Sequence, residues 1–252
     1  MKHLFIGTSG YNYSHWKEGV FYPPGLKEKD FFKFYQKVFN SVELNVTFYR
    51  LPSKKVFESW FKNSGEDFCF VIKGPRLITH LKRLKNCSDS LQIFLDNCSA
   101  LKYKLKCVLW QFPASFKENA SLLKEFIKDL LKHRFFKKID HSFEFRHPSW
   151  FKEDVYKILR DNNLNLCIAH SKQWPCKEVI TSHFLYLRFH GGQILYGSNY
   201  SIKELKEWAK KTLYWIDKHK IKYVYAFFNN DAYGFAPKNA LKFKELLENA
   251  QG

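Results

Sequence analysis

The sequence lacks most features that mark membrane, secreted or zinc-binding proteins. No apolar run reaches the roughly 18 residues that a membrane-spanning helix needs. The stretch from Met1 to Thr8 turns polar too soon for a signal peptide. The six cysteines form no CxxC motif and no Cys/His pair at ligand spacing, which argues against zinc and disulfide frameworks. These absences predict a cytoplasmic protein without a membrane segment.

Glycine-rich loops, internal repeats and linkers are also missing. Gly7-Thr8-Ser9-Gly10 follows the first predicted strand, but it lacks the spacing of a dinucleotide-binding loop. No Pro/Ser linker or low-complexity tract divides the chain, so we expect residues 1–252 to form a single domain. Cys69, Cys107 and Cys167 lie in apolar strand-like runs and are expected to be small core residues.

Charge is strongly one-sided. The chain carries 42 lysines and arginines against 24 aspartates and glutamates, a formal net charge of +18. A positive field of that size favours phosphate-bearing partners. The alternative is that lysine simply covers solvated helix faces. Only seven of the basic residues are arginine, whereas nucleic-acid-binding surfaces usually use arginine as well.

The scarcity of arginine makes the remaining arginines informative. Arg50, Arg76, Arg146 and Arg188 fall at or just beyond the ends of predicted strands. Lysine replaces arginine readily on a surface, but not where a planar guanidinium must bind two acceptors at once. We therefore expect these four side chains to have specific partners.

The stretch that begins at Ser142 is the clearest strand with two different faces. Ser142, Glu144 and Arg146 alternate with two phenylalanines, and His147-Pro148 then breaks the strand. Glu144 and Arg146 would share the polar face. A strand that ends in this way is typical of an active-site edge, but a buried structural ion pair gives the same pattern.

Segments with strand and helix patterns alternate along the whole chain. The strands are predicted near 3–8, 41–48, 67–73, 106–112, 142–146, 164–169, 184–189 and 222–228. The helices are predicted near 29–39, 53–63, 90–102, 119–133, 151–162 and 201–218 and from about 237 onward. Eight strands in about 250 residues, nearly all followed by a helix, indicate a single (β/α)8 TIM barrel. An open doubly wound sheet is the alternative.

Polar residues gather at the carboxyl ends of nearly every predicted strand, where a TIM barrel carries its function. They are Glu43, Asn45, Lys73, Gln111, Glu144, Arg146, His170, Arg188, His190 and Asn229. Period-2 alternation predicts that these side chains point into the barrel mouth and converge. The competing interpretation is a closed ion network of Glu43, Glu144, Arg146 and Arg188 that only braces the barrel. Buried ion pairs are costly, so stability alone explains such convergence poorly.

Several blocks of the chain resemble the YecE-like family, also called domain of unknown function 72. The blocks span almost the full length and include Gly7-Thr8-Ser9-Gly10-Tyr11, Val42-Glu43-Leu44-Asn45, Gln111-Phe112-Pro113, Glu144-Phe145-Arg146-His147, Arg188-Phe189-His190-Gly191 and Asn229-Asn230-Asp231. Tyr11 stands where the family commonly has tryptophan. The resemblance implies a TIM-barrel fold and supplies no reaction.

The sequence favours an enzyme that acts on a phosphate-bearing or other anionic substrate by hydrolysis or proton transfer. The candidate catalytic residues are Glu43, Glu144 and His190. The candidate substrate-binding residues are Asn45, Lys73, His80, Gln111, Arg146, Arg188, Asn229, Tyr11 and Trp16. The aromatic loop after the first strand could either stack on a ligand or close the top of the barrel as a small core.

Two other functions fit the same residues. One is a nucleic-acid-binding protein without catalysis, which would use the basic mouth and the aromatic loop. The other is a metal-dependent phosphodiesterase or nuclease, with ligands among Glu43, His80, Glu144, His170, His190 and Asp231. No HxH or HExxH spacing appears, and the nearby cations would oppose a divalent ion. The sequence therefore requires no metal or other cofactor, and it does not fix the oligomeric state.

Overall fold

The computed structural model describes residues 3–250 and contains nine parallel strand segments. They are β1 (His3–Thr8), β2 (Ser41–Leu44), β3 (Cys69–Lys73), β4 (Leu105–Gln111), β5 (Asp140–Glu144), β6 (Asn165–Leu166), β7 (Ile168–His170), β8 (Phe184–Phe189) and β9 (Tyr223–Phe228). The order β1-β9-β8-β7 forms one sheet and the order β2-β3-β4-β5-β6 forms the other.

Two seams join these sheets into a ring. The first lies between β6 and β7, which are one strand interrupted at Cys167, whose N–H still bonds to Phe143 of β5. The second lies between β1 and β2, where Ser9 and Glu43 form an isolated parallel bridge. With β6 and β7 counted as one, the ring has eight parallel strands, and the predicted (β/α)8 barrel is confirmed.

A buried tyrosine hydroxyl replaces ladder hydrogen bonds at the second seam. Tyr35 accepts from the Thr8 N–H at 3.0 Å and donates to the Ser41 carbonyl at 3.1 Å. Both backbone groups are thereby satisfied although β1 and β2 do not pair along their length. The helix that carries Tyr35 thus fixes the closure of the barrel.

Helices follow most strands and cover the outside of the ring. They are α1 (Phe31–Val38), α2 (Val46–Tyr49), α3 (Lys54–Asn63), α4 (Ser88–Cys98), α5 (Ala120–Lys132), α6 (Glu153–Asp161), α7 (Ile202–Lys218) and α8 (Phe235–Asn249). A capping box begins α7, where the Ser201 side chain accepts from the Glu204 N–H and the Glu204 carboxylate accepts from the Ser201 N–H. No helix within residues 3–250 combines the length and apolarity needed to cross a bilayer.

Alternation along the strands separates two apolar layers. One layer lies between strands and helices, and the other fills the barrel interior. The interior set comprises Phe5, Cys69, Val71, Cys107, Leu109, Cys167, Ala169, Phe184, Tyr186, Tyr225 and Phe227. The expectation that Cys69, Cys107 and Cys167 are core residues is confirmed. Above this layer, the next inward positions on the strands are polar, and they form the mouth.

One local prediction was wrong, and one element was not predicted. The second strand ends at Leu44 rather than near residue 48, because Val46–Tyr49 forms one helical turn held by a hydrogen bond from the Thr47 hydroxyl to the Leu44 carbonyl. After β3, Leu77–Leu81 forms a π-helical turn. Phe48 and His80 lie in these two turns, and their rings contact each other beside the mouth.

Candidate functional site

A fully buried guanidinium lies at the centre of the mouth. Arg188, from β8, donates from Nη2 to Glu43 Oε1 at 2.7 Å and from Nη1 to Glu144 Oε2 at 2.5 Å. All three side chains are at most 1% exposed. The strands β2, β5 and β8 therefore converge here as alternation predicted, and one arginine bridges two carboxylates from different parts of the ring.

The remaining carboxylate oxygens also have donors. Glu43 accepts from the Tyr186 hydroxyl and from the Ser9 hydroxyl, both at 2.7 Å. Glu144 accepts from Arg146 Nε at 2.8 Å. Each buried carboxylate thus has several hydrogen bonds and at least one cation, which is the arrangement that makes a buried ion network tolerable.

The two carboxyl groups are held in the ionised form. Burial alone would raise the pKa of both, but the positive charge of Arg188 and the donated hydrogen bonds outweigh it, so the pKa of Glu43 and the pKa of Glu144 are lowered. A carboxylate with a lowered pKa is a weak proton acceptor at neutral pH. This geometry suits Glu43 and Glu144 to positioning arginine rather than to moving protons.

His190 is buried beside the same network. Its ring nitrogens lie 3.4 Å from Arg188 Nη1 and 3.2 Å from Asn229 Nδ2. Burial and the charge of Arg188 lower the pKa of His190 to about 4, so the imidazole is neutral at pH 7. The predicted residues His190 and Asn229 are therefore both at the mouth, with His190 as a neutral hydrogen-bonding group.

Lys73 differs from the other predicted cations because no carboxylate pairs with it. Its Nζ lies 4.0 Å from the centre of the Phe48 ring, and within residues 3–250 it makes no hydrogen bond or ion pair. Burial, together with the positive charges of Arg188 and Arg146, lowers the pKa of Lys73 to about 7, although both glutamates act in the opposite direction. An amine that titrates near neutrality is therefore poised at the mouth.

Arg146 presents a second set of unused donors. Only its Nε bonds to Glu144, and in the part of the chain that the structure describes its terminal nitrogens have no hydrogen-bond partner. The guanidinium stacks on Trp174 with 3.8 Å between Cζ and the ring centre. The Arg146 guanidinium is thus fixed by Glu144 and Trp174, and its terminal nitrogens remain available to a ligand.

Trp174 was missed by the sequence analysis. It lies in the irregular segment between β7 and β8, where no periodicity predicts a direction for a side chain. Its ring contacts His190 edge-on at 5.7 Å, and its buried Nε1 has no acceptor among residues 3–250. The one available signal was a tryptophan in a segment bordered by barrel strands. Trp174 forms part of the wall over the mouth.

The other predicted polar residues lie around this centre. Gln111 is buried and donates to the Phe112 carbonyl, and Asn45 lies 3.5 Å from the Ser9 carbonyl with its own carbonyl oxygen buried and unbonded among the described residues. His80 contacts the Phe48 ring edge-on at 4.8 Å. Burial and the charge of Lys73 lower the pKa of His80 to about 4.

Two predicted ligand contacts lie away from the centre. Tyr11 packs on Phe32 and Tyr35 on the helix side of the strands. Trp16 is fully buried and donates to Asp231 at 2.8 and 2.9 Å. The aromatic loop therefore closes the top of the barrel as a small core, and Tyr11 and Trp16 lie outside the cluster around Arg188.

Only some of the other candidates have the expected environment. His170 points outward from the barrel, because Ala169 holds the inward position, and its Nδ1 lies 2.8 Å from the Tyr200 hydroxyl. Of the four arginines expected to have partners, Arg146 and Arg188 have them. The side chains of Arg50 and Arg76 are exposed and make no hydrogen bond within residues 3–250. Within residues 3–250, no group of three or more His, Cys, Asp or Glu side chains is arranged to hold a metal ion.

Comparison with known proteins places this geometry in a family. Residues 5–252 match the model of a protein of unknown function, DUF72. The chain belongs to the DUF72 family. It is 27% identical to UPF0759 protein YunF of Bacillus subtilis (strain 168), over 97% of this chain and 95% of YunF. It is 32% identical to UPF0759 protein YecE of Escherichia coli (strain K12), over 67% of this chain and 60% of YecE.

Solved structures agree with this assignment. A DUF72 family protein from Thermotoga maritima MSB8 superposes with a TM-score of 0.85 at 32% identity, covering 98% of this chain and 99% of that chain. SacUVDE superposes with a TM-score of 0.59 at 6% identity, covering 100% of this chain and 99% of that chain. The second likeness shows the fold alone. The DUF72 assignment fixes family and architecture, whereas the chemistry has to be argued from the side chains of the mouth.

Proposed function

We propose that the protein binds a phosphate-bearing or other anionic small molecule at the barrel mouth and catalyses a hydrolytic or proton-transfer step on it. The observation that carries this proposal is a lysine without an anionic partner beside an arginine whose terminal nitrogens are unbonded. Lys73 Nζ and the terminal nitrogens of Arg146 have no carboxylate to bind among the described residues. A doubly charged oxyanion would supply the missing acceptors.

The charge balance of the mouth supports an anion. Glu43 and Glu144 are already matched by Arg188 and Arg146. Protonated Lys73 is therefore in excess of the local negative charge, and its pKa is lowered first by burial and then by the positive charges of Arg188 and Arg146. A bound anion would offset the cost of keeping this ammonium charged in a partly dry site.

The same arrangement favours Lys73 as the proton carrier. A group with a pKa near the working pH can both accept and donate a proton, which is the requirement for general acid–base catalysis. Lys73 has a pKa of about 7, whereas that of His190 is about 4. In this proposal Glu43 and Glu144 hold Arg188 and Arg146, Arg146 binds the anion, and Lys73 moves the proton.

Sulfate binding tests the anion site directly. We expect isothermal titration calorimetry at pH 7 to detect sulfate binding, and we expect Lys73→Met and Arg146→Met each to weaken it about tenfold to hundredfold. Those factors correspond to the roughly 1.5–3 kcal/mol of a hydrogen bond to a charged group. Lys206→Met, which removes an exposed lysine of α7, is the matched control and should leave the affinity unchanged. Equal losses in all three variants, or no binding by the wild type, would refute the proposal.

Nucleic-acid binding is the second candidate function, and exposed rings at the mouth favour it. Tyr49 follows β2 with 78% of its surface exposed, and Tyr233 follows β9 with 73% exposed. Both could stack on bases beside the cations.

A short oligothymidylate separates this candidate from a small-anion site. A nucleic-acid interface predicts affinity that falls steeply between 50 and 200 mM salt, with a further loss in Tyr49→Ala. If the site serves a small anion, we expect weak oligonucleotide binding, measured by fluorescence anisotropy, that Tyr49→Ala does not change.

A further inference from the structure

A second cavity lies at the opposite end of the barrel from the mouth. It has a volume of about 930 Å³, which is within the range of small-molecule sites. Its lining comes from the amino ends of strands, with Phe5 from β1, Lys106 from β4, Asp140 from β5 and Tyr223 from β9. The amino-terminal face of a TIM barrel is ordinarily a stabilising face, so an open cavity there needs an explanation.

Polar side chains meet at the base of this cavity. Tyr225 donates its hydroxyl hydrogen to Asp140 Oδ2 at 2.8 Å, and His183 Nε2 lies 3.5 Å from Asp140 Oδ1. The side-chain oxygen Oδ1 of Asn163 lies 3.0 Å from His183 Nδ1. These four side chains are the floor cluster. It joins a carboxyl, an imidazole, a phenol and an amide in one depression.

The floor cluster is poorly explained as a structural network. Glu43 and Glu144 at the mouth are matched by arginines, but within residues 3–250 Asp140 has no lysine or arginine nitrogen within 4 Å. Its nearest basic group is His183, whose own pKa is lowered by burial. Burial accordingly raises the pKa of Asp140 to about 6, against the Tyr225 hydrogen bond and the charge of Lys106. A mostly buried carboxyl without a cationic partner costs stability, and such groups in a cavity are typical of functional sites.

The walls and rim add two further features. The rings of Phe135, Tyr103 and Tyr223 line the cavity and provide flat apolar surface. Lys137 and Lys138 stand exposed at its edge, and Lys106 lies half-buried beside Asp140. A matching ligand would therefore have an anionic end, a planar ring and a polar edge that donates hydrogen bonds.

We propose that this cavity binds a nucleoside monophosphate. In this arrangement the phosphate contacts Lys106 and Lys138, and the ring lies against the aromatic wall. The sugar hydroxyls or the base amino group donate to Asp140. The site is separate from the mouth, and the proposal does not depend on the function proposed there.

Titration with AMP tests this second site, and it is best done in a Lys73→Met background, which removes an anion contact of the mouth. We expect calorimetry to give a dissociation constant tighter than about 1 mM and a loss of at least tenfold on adding Asp140→Asn or Lys106→Met. Adenosine and ribose 5-phosphate should each bind at least tenfold more weakly than AMP, because each lacks one of the two recognised parts.

Two further variants control for surface charge and for misfolding. Lys124→Met removes an exposed lysine of α5 outside the cavity lining and should leave AMP affinity unchanged. Lys138→Met at the exposed edge should weaken binding even if Asp140→Asn fails to fold. No detectable AMP binding, or an equal loss with Lys124→Met, would overturn the assignment. Ribose 5-phosphate binding as tightly as AMP would also overturn it, since that would leave only a general attraction for phosphate.

Discussion

Replacing Arg188 by glutamine should destabilise the protein by about 3–5 kcal/mol at pH 7. The substitution leaves Glu43 and Glu144 fully buried without the guanidinium that bridges them. Removing one partner of a buried ion network leaves the remaining charges buried and unpaired. The resulting loss of stability is typically of this size. Arg146 still contacts Glu144, so the larger part of the loss comes from Glu43, which then retains only two hydroxyl donors.

Urea unfolding at pH 7 measures this loss. The matched control is Arg160→Gln, because Arg160 makes an ion pair with Glu153 on the surface of α6. Exposed pairs contribute about 0–1 kcal/mol, so the control should change stability little. A change below about 1 kcal/mol in Arg188→Gln would mean that the two carboxylates find other partners or water, contrary to the buried network described above.

The pH dependence of the same variant has a definite sign. In the wild type the pKa of Glu43 and the pKa of Glu144 are lowered on folding, so their contribution is complete above the unfolded pKa and is lost as pH falls through the folded pKa. Without Arg188, burial dominates and raises both pKa values. The variant carboxyls then protonate more readily. The gap in stability between wild type and Arg188→Gln should therefore narrow from pH 7 toward pH 4.

A triple variant distinguishes a stabilising role of the ion network from a role in anion binding. The variant combines Glu43→Gln, Glu144→Gln and Arg188→Met, which removes the charges that Arg188→Gln alone leaves unpaired. Proteins in which a buried ion network is replaced as a whole often lose little stability. We expect part of the stability lost in Arg188→Gln to return. Sulfate affinity should still fall, because Arg146 loses the carboxylate that positions it. Recovery of both stability and affinity would assign the network a bracing role alone.

Much of this site could be predicted from strand periodicity. In a parallel barrel, alternation decides which side chains enter the interior, and strand order brings all carboxyl ends to one face. Glu43, Glu144 and Arg188 were predicted together for that reason. The fold followed from the same periodicity, because eight alternating runs separated by helices leave few other arrangements.

The errors have equally physical causes. Val46 and Phe48 continue the apolar alternation of β2 and are strand-favouring residues, yet the tertiary structure places them in a helical turn against their local preference. His170 ends a strand, but it has the parity of Leu166 and Ile168, which face the helices, whereas Cys167 and Ala169 face the interior. Trp174 lies in irregular backbone that has no period at all.

Charge pairing was beyond the reach of the sequence because it depends on distances of a few ångströms. Sequence alone suggested Glu43, Glu144 and His190 as acid–base groups and Lys73 as an anion ligand. In the structure both carboxylates pair with Arg188, and Lys73 has no carboxylate partner in the described chain. The group that titrates near neutrality is therefore a lysine, which ordinarily would not.

Sulfate affinity should consequently fall about fiftyfold between pH 7 and pH 9. Lys73 has a pKa of about 7 without ligand, so its ammonium form falls from about half of the protein at pH 7 to about one hundredth at pH 9. Sulfate binds the charged form and must bring a proton with it, whereas sulfate itself stays a dianion across this range. His80 and His190, each with a pKa of about 4, do not titrate there. Lys73→Met should bind weakly at every pH with no slope. A wild type without the slope, or a Lys73→Met variant that keeps it, would show that another group governs the site.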